Sequence, residues 1–253
     1  MTHSQQPGIR NVAVVIPAHN EEQRLGRALT GLRAALDTLG RERPGVGASV
    51  TVVLDNCTDG SEAISAAFGA KDARFHNLTV KLHSTGASRD HGAREALNRL
   101  QLQQEEHADA TVWLANTDAD STVPGHWLVR QVDLANAGAD AVLGSVEPDP
   151  TDVDPVVLGR WLELHPFRED HPHIYGANLG IRASAYLAAG GFPLLRSHED
   201  RGLVERLRRQ GFTVTSTDTI RVVTSGRTHA RAPEGFGSYL RALGAELPAP
   251  ASG

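Results

Sequence analysis

Two carboxylates, Asp118 and Asp120, stand one residue apart at the end of a short apolar run that contains Val112 and Leu114. On an extended backbone, side chains at i and i+2 point the same way. Two anions so placed repel each other unless a proton or a cation lies between them. Hard oxygen donors suit Mg2+ or Mn2+, which proteins often hold with one or two carboxylates and complete with substrate phosphates. Pro124 and Gly125 then turn the chain. An isolated D-x-D is more often an exposed acidic turn than a site, so the elements around it must decide.

Two more polar clusters end apolar runs. Residues 12–16 (V-A-V-V-I) form the continuous run expected of a parallel strand covered on both faces, and they stop at P-A-H-N-E-E, residues 17–22. Residues 50–54 stop in the same way at D-N-C-T-D-G-S, residues 55–61. Between them, Leu25, Leu29, Leu32, Leu36 and Leu39 mark one face of a helix. Ser61 is placed to cap a short helix through Phe68, with Glu62 in its first turn. A weaker strand is predicted at 78–82, a helix with Ala93, Ala96, Leu97 and Leu100 on one face, and a helix at 125–137. This alternation predicts an α/β protein with a largely parallel central sheet flanked by helices. Ligands bind such sheets beyond the carboxyl ends of the strands. The clusters at 17–22, 55–61 and 118–121 therefore meet on one edge, and that convergence raises the D-x-D above an ordinary turn.

The second half predicts a strand at 139–146, an acidic Pro-rich loop at 148–155 and a helix at 160–164. A charged loop at 168–173, a helix at 183–189 and the turn 190–193 follow. An amphipathic helix then carries Leu203, Val204 and Leu207 and stops at Gly211, with one or two strands over 212–223. No repeat or long linker divides the chain, so a single domain is expected over 1–253, with a mobile tail at 244–253.

Bulk composition narrows the class. The 253 residues, 40% hydrophobic and 22% charged, describe a soluble protein with a large core. A net charge of −5 offers no global attraction for nucleic acid. The one cysteine, Cys57, excludes an internal disulfide, fits a reducing compartment and reads as a small buried thiol. No run approaches the roughly 20 apolar residues of a membrane span, and the polar residues 1–8 lack a signal-peptide core. The expectation is a cytoplasmic protein without a transmembrane segment, compatible with peripheral contact with a membrane-bound acceptor. His165, His171 and His173 form a local group, but without cysteines beside them they read as solvated or acceptor-loop histidines rather than a zinc site.

Over residues 11–228 the sequence resembles the family 2 inverting glycosyltransferases of the GT-A fold. Four segments carry the resemblance in order: V-V-I-P-A-H-N-E-E at 14–22, V-V-L-D-N-C-T-D-G-S at 52–61, D-A-D-S at 118–121, and G-G-F at 190–192 followed by Glu199 and Asp200. The resemblance implies a nucleoside-diphosphate-sugar donor, a small-molecule or lipid-linked hydroxyl acceptor, and Mg2+ or Mn2+. It divides the domain into a nucleotide-sugar half at 10–122 and an acceptor half at 123–243. Asp120 would then be the direct metal ligand, and Asp118 would bind the ribose or assist the metal. Pro17, Ala18, Asn20, Glu21 and Asp55 would line the base and ribose pocket. Arg89 would pair with phosphate or else be a surface helix arginine, and Glu21 and Glu22 also suit a helix N-terminus. Asp200 would be the general base and Glu199 would bind the acceptor or orient the base, the alternative being that Ser197, Glu199 and Asp200 cap a helix. Asn178, in G-A-N-L-G at 176–180, would touch the sugar, and His229 matches a late metal-ligating histidine of some relatives.

Departures from the family pattern are also informative. Leu54-Asp55-Asn56 replaces the paired acids of many relatives, and there is no Q-x-x-R-W motif, which argues against processive synthesis. Two competing functions fit these residues less well. A nucleotidyltransferase would carry a Gly-rich basic loop after the first strand, where this chain has Ala18, His19, Asn20, Glu21 and Glu22. An inactive sugar-nucleotide-binding protein would be expected to lack Asp120 or Asp200, and both are present.

Overall fold

A computed structural model of the chain describes residues 6–100, 108–193, 195, 198–227 and 235–245. Strand β1 (Asn11–Ala18), helix α1 (Leu25–Glu42), β2 (Gly47–Asp55), α2 (Ser61–Gly69), β3 (Phe75–Val80), α3 (Thr85–Arg99) and β4 (Val112–Asn116) build the first half. The second half continues with β5 (Ser121–Thr122), α4 (Trp127–Asn136), β6 (Ala141–Pro148), α5 (Pro155–Leu164), β7 (Leu179–Arg182), α6 (Ala183–Ala188), α7 (Glu199–Arg209), β8 (Val214–Thr224) and α8 (Phe236–Ala245). All strands join one sheet in the order β3-β2-β1-β4-β7-β6-β8-β5.

The period-2 alternation of β1 explains the layering. Val12, Val14 and Ile16 face one side and pack with α1 and α4, while Ala13 and Val15 face the other and pack with α3, α6 and α7. The predicted leucine face of α1 is real: Leu25, Leu29, Leu32, Leu36 and Leu39 are all at most 1% exposed. At about 1.5–3 kcal/mol for each buried leucine, this face is a large share of the gross stabilisation on that side.

The sheet departs from the expected parallel one. β3, β2, β1 and β4 pair in parallel, but β7 runs antiparallel to both β4 and β6, and β5 antiparallel to β8. A parallel crossover needs a helix lying back along the sheet. Here α5, which connects β6 to β7, packs on α8 instead. β8 pairs in parallel with β6, so it runs in the sense of β1 and β4, and its C-terminal end reaches the same edge.

Several local expectations shift. β3 begins at Phe75 rather than 78. α5 begins at Pro155, inside the stretch expected to be loop, because the Asp154 carboxylate accepts the Val156 and Val157 amides and Pro155 suits the first helical position. Ser61 does not cap α2. Its hydroxyl accepts the Glu21 amide at 2.8 Å instead. Gly244 and Ala245 complete α8, while residues 246–253 of the expected tail lie outside the described residues. Among the described residues, no helix is long and apolar enough to cross a membrane.

Candidate active site

Four strand ends meet on one edge. After β1 come His19, Asn20 and Glu21; after β2, Asn56 to Ser61; after β4, Asp118 and Asp120; and after β8, Ser225 to Arg227. β5 follows Asp120 and pairs Ser121 with Thr224, which brings the end of β8 against the D-x-D turn.

Two arginines organise the carboxylates. Arg89, on the second turn of α3, is 4% exposed and donates through Nη2 to Asp118 and through Nη1 to Glu199. The surface-helix alternative for Arg89 is therefore excluded. Burial works to strip Arg89 of its proton, but the charges of Asp118, Glu199 and Asp200 outweigh it and hold the guanidinium above its ordinary value. Two glycines make room for this ion pair. A Cβ on Gly176 would lie 2.3 Å from the Arg89 guanidinium, and one on Gly86 would lie 2.8 Å from Glu199.

Arg227 forms the second bridge. It holds Glu21 by two hydrogen bonds, of 2.9 and 2.7 Å, and contacts the Asp120 carboxylate at 2.9 Å. Burial first, and then the charge of Asp118, push the Asp120 carboxyl up to about 7 against the pull of Arg227. Nothing local in the sequence singles out Arg227. Its signal would have been a fourth polar strand end, legible only once β8 was known to run with β4.

Asp200, in the first turn of α7, is partly exposed and accepts the Gly176 amide at 2.7 Å. Glu199 is buried against Arg89, so Asp200 is the member of the pair that faces outward. His198 begins α7 without a side-chain cap, and Ser197 lies outside the described residues, as does His229.

Three predicted contact residues have structural work. Asp55 is 5% exposed, and its carboxylate accepts the amides of Leu82, His83 and Ser84, the Ser88 hydroxyl and the Asn56 side chain. Burial raises its carboxyl, but these donors prevail and hold it below its ordinary value. Its side chain therefore fixes the entry to α3. Asn178 is fully buried. It accepts from Trp127 Nε1 and donates to the Ser145 and Ile220 carbonyls, so its side chain pins β6 to β8 and is not presented to a sugar. Asn20, at φ 53°, accepts the Thr58 amide and joins the first two strand ends. Pro17 and Ala18 close β1, with Ala18 buried and its carbonyl accepting from the half-buried Cys57 thiol. A cavity of about 210 Å³ opens beside Asp120, lined by Gln23, Arg24, Arg27, Asp149, Asp152 and Ser225.

The histidines form an aromatic cluster. His165 stacks on Trp161 at 4.6 Å between ring centres, and His173 lies 4.8 Å from His165 and 5.9 Å from Tyr175. Among the described residues, no group of three or more His, Cys, Asp and Glu side chains is arranged to hold a metal ion.

The family model for glycosyl transferase family 2 matches residues 13–197. The chain belongs to this family. Its fold is GT-A. A mannosyltransferase from Pyrobaculum calidifontis, solved with GDP-Man and Mn2+, superposes with a TM-score of 0.60 at 18% identity, over 89% of this chain and 59% of that one. TarS from S. aureus superposes with a TM-score of 0.58 at 16% identity, over 93% of this chain and 39% of that one. Glucosyl-3-phosphoglycerate synthase from Mycobacterium tuberculosis, solved with Mg2+ and UDP, gives 0.51 at 16% identity, over 86% of this chain and 72% of that one. The family 2 chain thus spans little more than half of the mannosyltransferase and less than half of TarS. No protein of curated function matches the sequence.

Proposed function

We propose that this family 2 glycosyltransferase moves one sugar from a nucleoside-diphosphate sugar to a hydroxyl acceptor, with inversion, non-processively and with a divalent metal. The observation that carries the reading is the Arg89 bridge, which ties Asp118 of the D-x-D pair to Glu199 of the E-D pair on one strand edge.

Two carboxylates of the D-x-D pair suit a divalent metal only with donor phosphates beside them, since no three side chains among the described residues are arranged to hold one. Glu21, Asp118, Asp120, Glu199 and Asp200 bring five carboxylates to an edge where Arg89 and Arg227 supply the bridging positive charge. Burial first, and then the neighbouring charges of Asp118 and Glu21, raise the Asp120 carboxyl there. Asp120 and Asp118 would hold Mg2+ or Mn2+, with donor phosphates completing the shell, as hard cations prefer. Bound there, the ion would stabilise the diphosphate charge that grows as the sugar departs.

The chain's own residues do the rest. Glu21, Asn20, Pro17 and Ala18 shape the wall at the end of β1 where the nucleoside would lie. Arg89 holds Asp118 and Glu199 in fixed positions relative to each other. Asp200, whose Oδ2 accepts the Gly176 amide and whose Oδ1 accepts the Arg201 amide, takes the proton of the attacking hydroxyl from the face opposite the leaving group.

Release of nucleoside diphosphate from UDP- and GDP-sugars, with Mn2+ and an acceptor panel, tests the assignment. Asp200→Asn should keep donor binding and lower turnover by about 10²–10⁴-fold. Unchanged turnover in that variant removes Asp200 as the base.

A further inference from the structure

The second arginine bridge has a consequence for how the site takes up its cation. Arg227 grips Glu21 with both ends of its fork and reaches Asp120 with the same Nη2, in surroundings where its side chain is 23% exposed, Glu21 7% and Asp120 14%. Glu21 is itself held, because the Ser61 hydroxyl accepts its amide. A guanidinium so fixed lies in direct contact with the carboxylate that the proposed function assigns to the metal. Like charges in contact with one buried carboxylate repel strongly. Arg227 takes the Oδ2 atom of Asp120, so a divalent ion on that carboxylate competes with it for the same negative charge.

We propose that Arg227 is the resident counter-ion of Asp120. It is a positioning residue that holds this carboxylate in place in the metal-free protein and yields it when a divalent cation binds. The inference rests on the metal assignment made above. Arg227 keeps its two bonds to Glu21 when it leaves Asp120, so the exchange costs one contact rather than three. The metal-free site is thereby protected against the repulsion between Asp118 and Asp120, and the affinity for the cation is set by competition with Arg227.

Direct Mn2+ titration of the full chain, by calorimetry and by the paramagnetic signal of free Mn2+, tests this without turnover. The proteins compared are the native chain, Arg227→Met, Arg227→Lys and Asp120→Asn. Arg227→Met should bind Mn2+ about tenfold more tightly than the native chain, within the usual range of coupling between two ligands of one site. Its metal-free melting temperature should fall and its Mn2+-induced rise should grow. Arg227→Lys keeps the charge without the fork, should fold even if the methionine variant does not, and should show a smaller shift in the same direction. Equal or weaker Mn2+ binding in a folded Arg227 variant, with binding lost in Asp120→Asn, overturns the counter-ion role and leaves the metal site standing. The titrations are run with and without saturating UDP and GDP, and Mn2+ binding to none of the proteins in any of these conditions, or binding unchanged in Asp120→Asn, overturns both.

Discussion

Arg89 and Glu199, 110 positions apart in the chain, form an ion pair in the interior beneath the D-x-D turn. The same guanidinium holds Asp118, so one side chain on α3 fixes the donor-side and acceptor-side carboxylates relative to each other. Removing one partner of such a buried pair leaves an uncompensated charge, which typically costs about 3–5 kcal/mol. Arg89→Met is expected to lose stability on that scale in urea denaturation. Arg89→Lys, a single point charge, should recover only part, because it cannot serve two carboxylates with the fork geometry. Stability within about 0.5 kcal/mol of native for Arg89→Met, the ordinary range of surface substitutions, would show that the pair does not hold the site.

Asn178 separates a structural role from a substrate contact. Asn178→Ala strands Trp127 Nε1 and the carbonyls of Ser145 and Ile220, at about 1–3 kcal/mol for each unsatisfied group. The melting temperature should drop markedly, while the folded variant keeps native affinity for nucleoside diphosphate. A native-like melting temperature with weakened affinity for the sugar nucleotide would restore the sugar-contact role.

Acid should weaken the histidine cluster. Burial, and then the charges of His165, His171 and Arg168, push the His173 ring down to about 4. The unfolded chain binds a proton on this ring near 6.5, whereas the folded chain does so only near 4. Between those values the unfolded state holds more protons, so stability falls as pH drops through that window. Asp120, whose carboxyl is pushed up to about 7, acts in the opposite sense over the same range, so the test is the difference between proteins: in denaturant midpoints from pH 7 to pH 4, His173→Gln should lose less stability than the native chain. An identical slope in the variant would place its origin elsewhere.

Much of the first half was legible because its physics is local. Continuous apolar runs ended by polar clusters marked β1, β2 and β4, and the leucine spacing marked α1. What the sequence hid depended on pairing. β7 has four residues and gains its antiparallel direction from the path of α5, which no periodicity records. Because the direction of β8 was hidden with it, the strand end bearing Arg227 went unnoticed. Asn178 and Asp55 also carry structural work that residue type alone does not reveal, since buried polar residues near a strand end have the same types as binding residues. Their hydrogen bonds to the protein itself show the work they do.

The most direct test of the account is a thermal-shift titration with UDP, GDP and their sugars, with and without Mn2+, on the native chain and on Asp120→Ala. One nucleotide should stabilise the native chain only with Mn2+, by about 2.7 kcal/mol at 100 times its Kd. Asp120→Ala should lose that stabilisation. No stabilisation by any nucleotide, or stabilisation that survives in Asp120→Ala, would contradict a donor site built on the D-x-D edge.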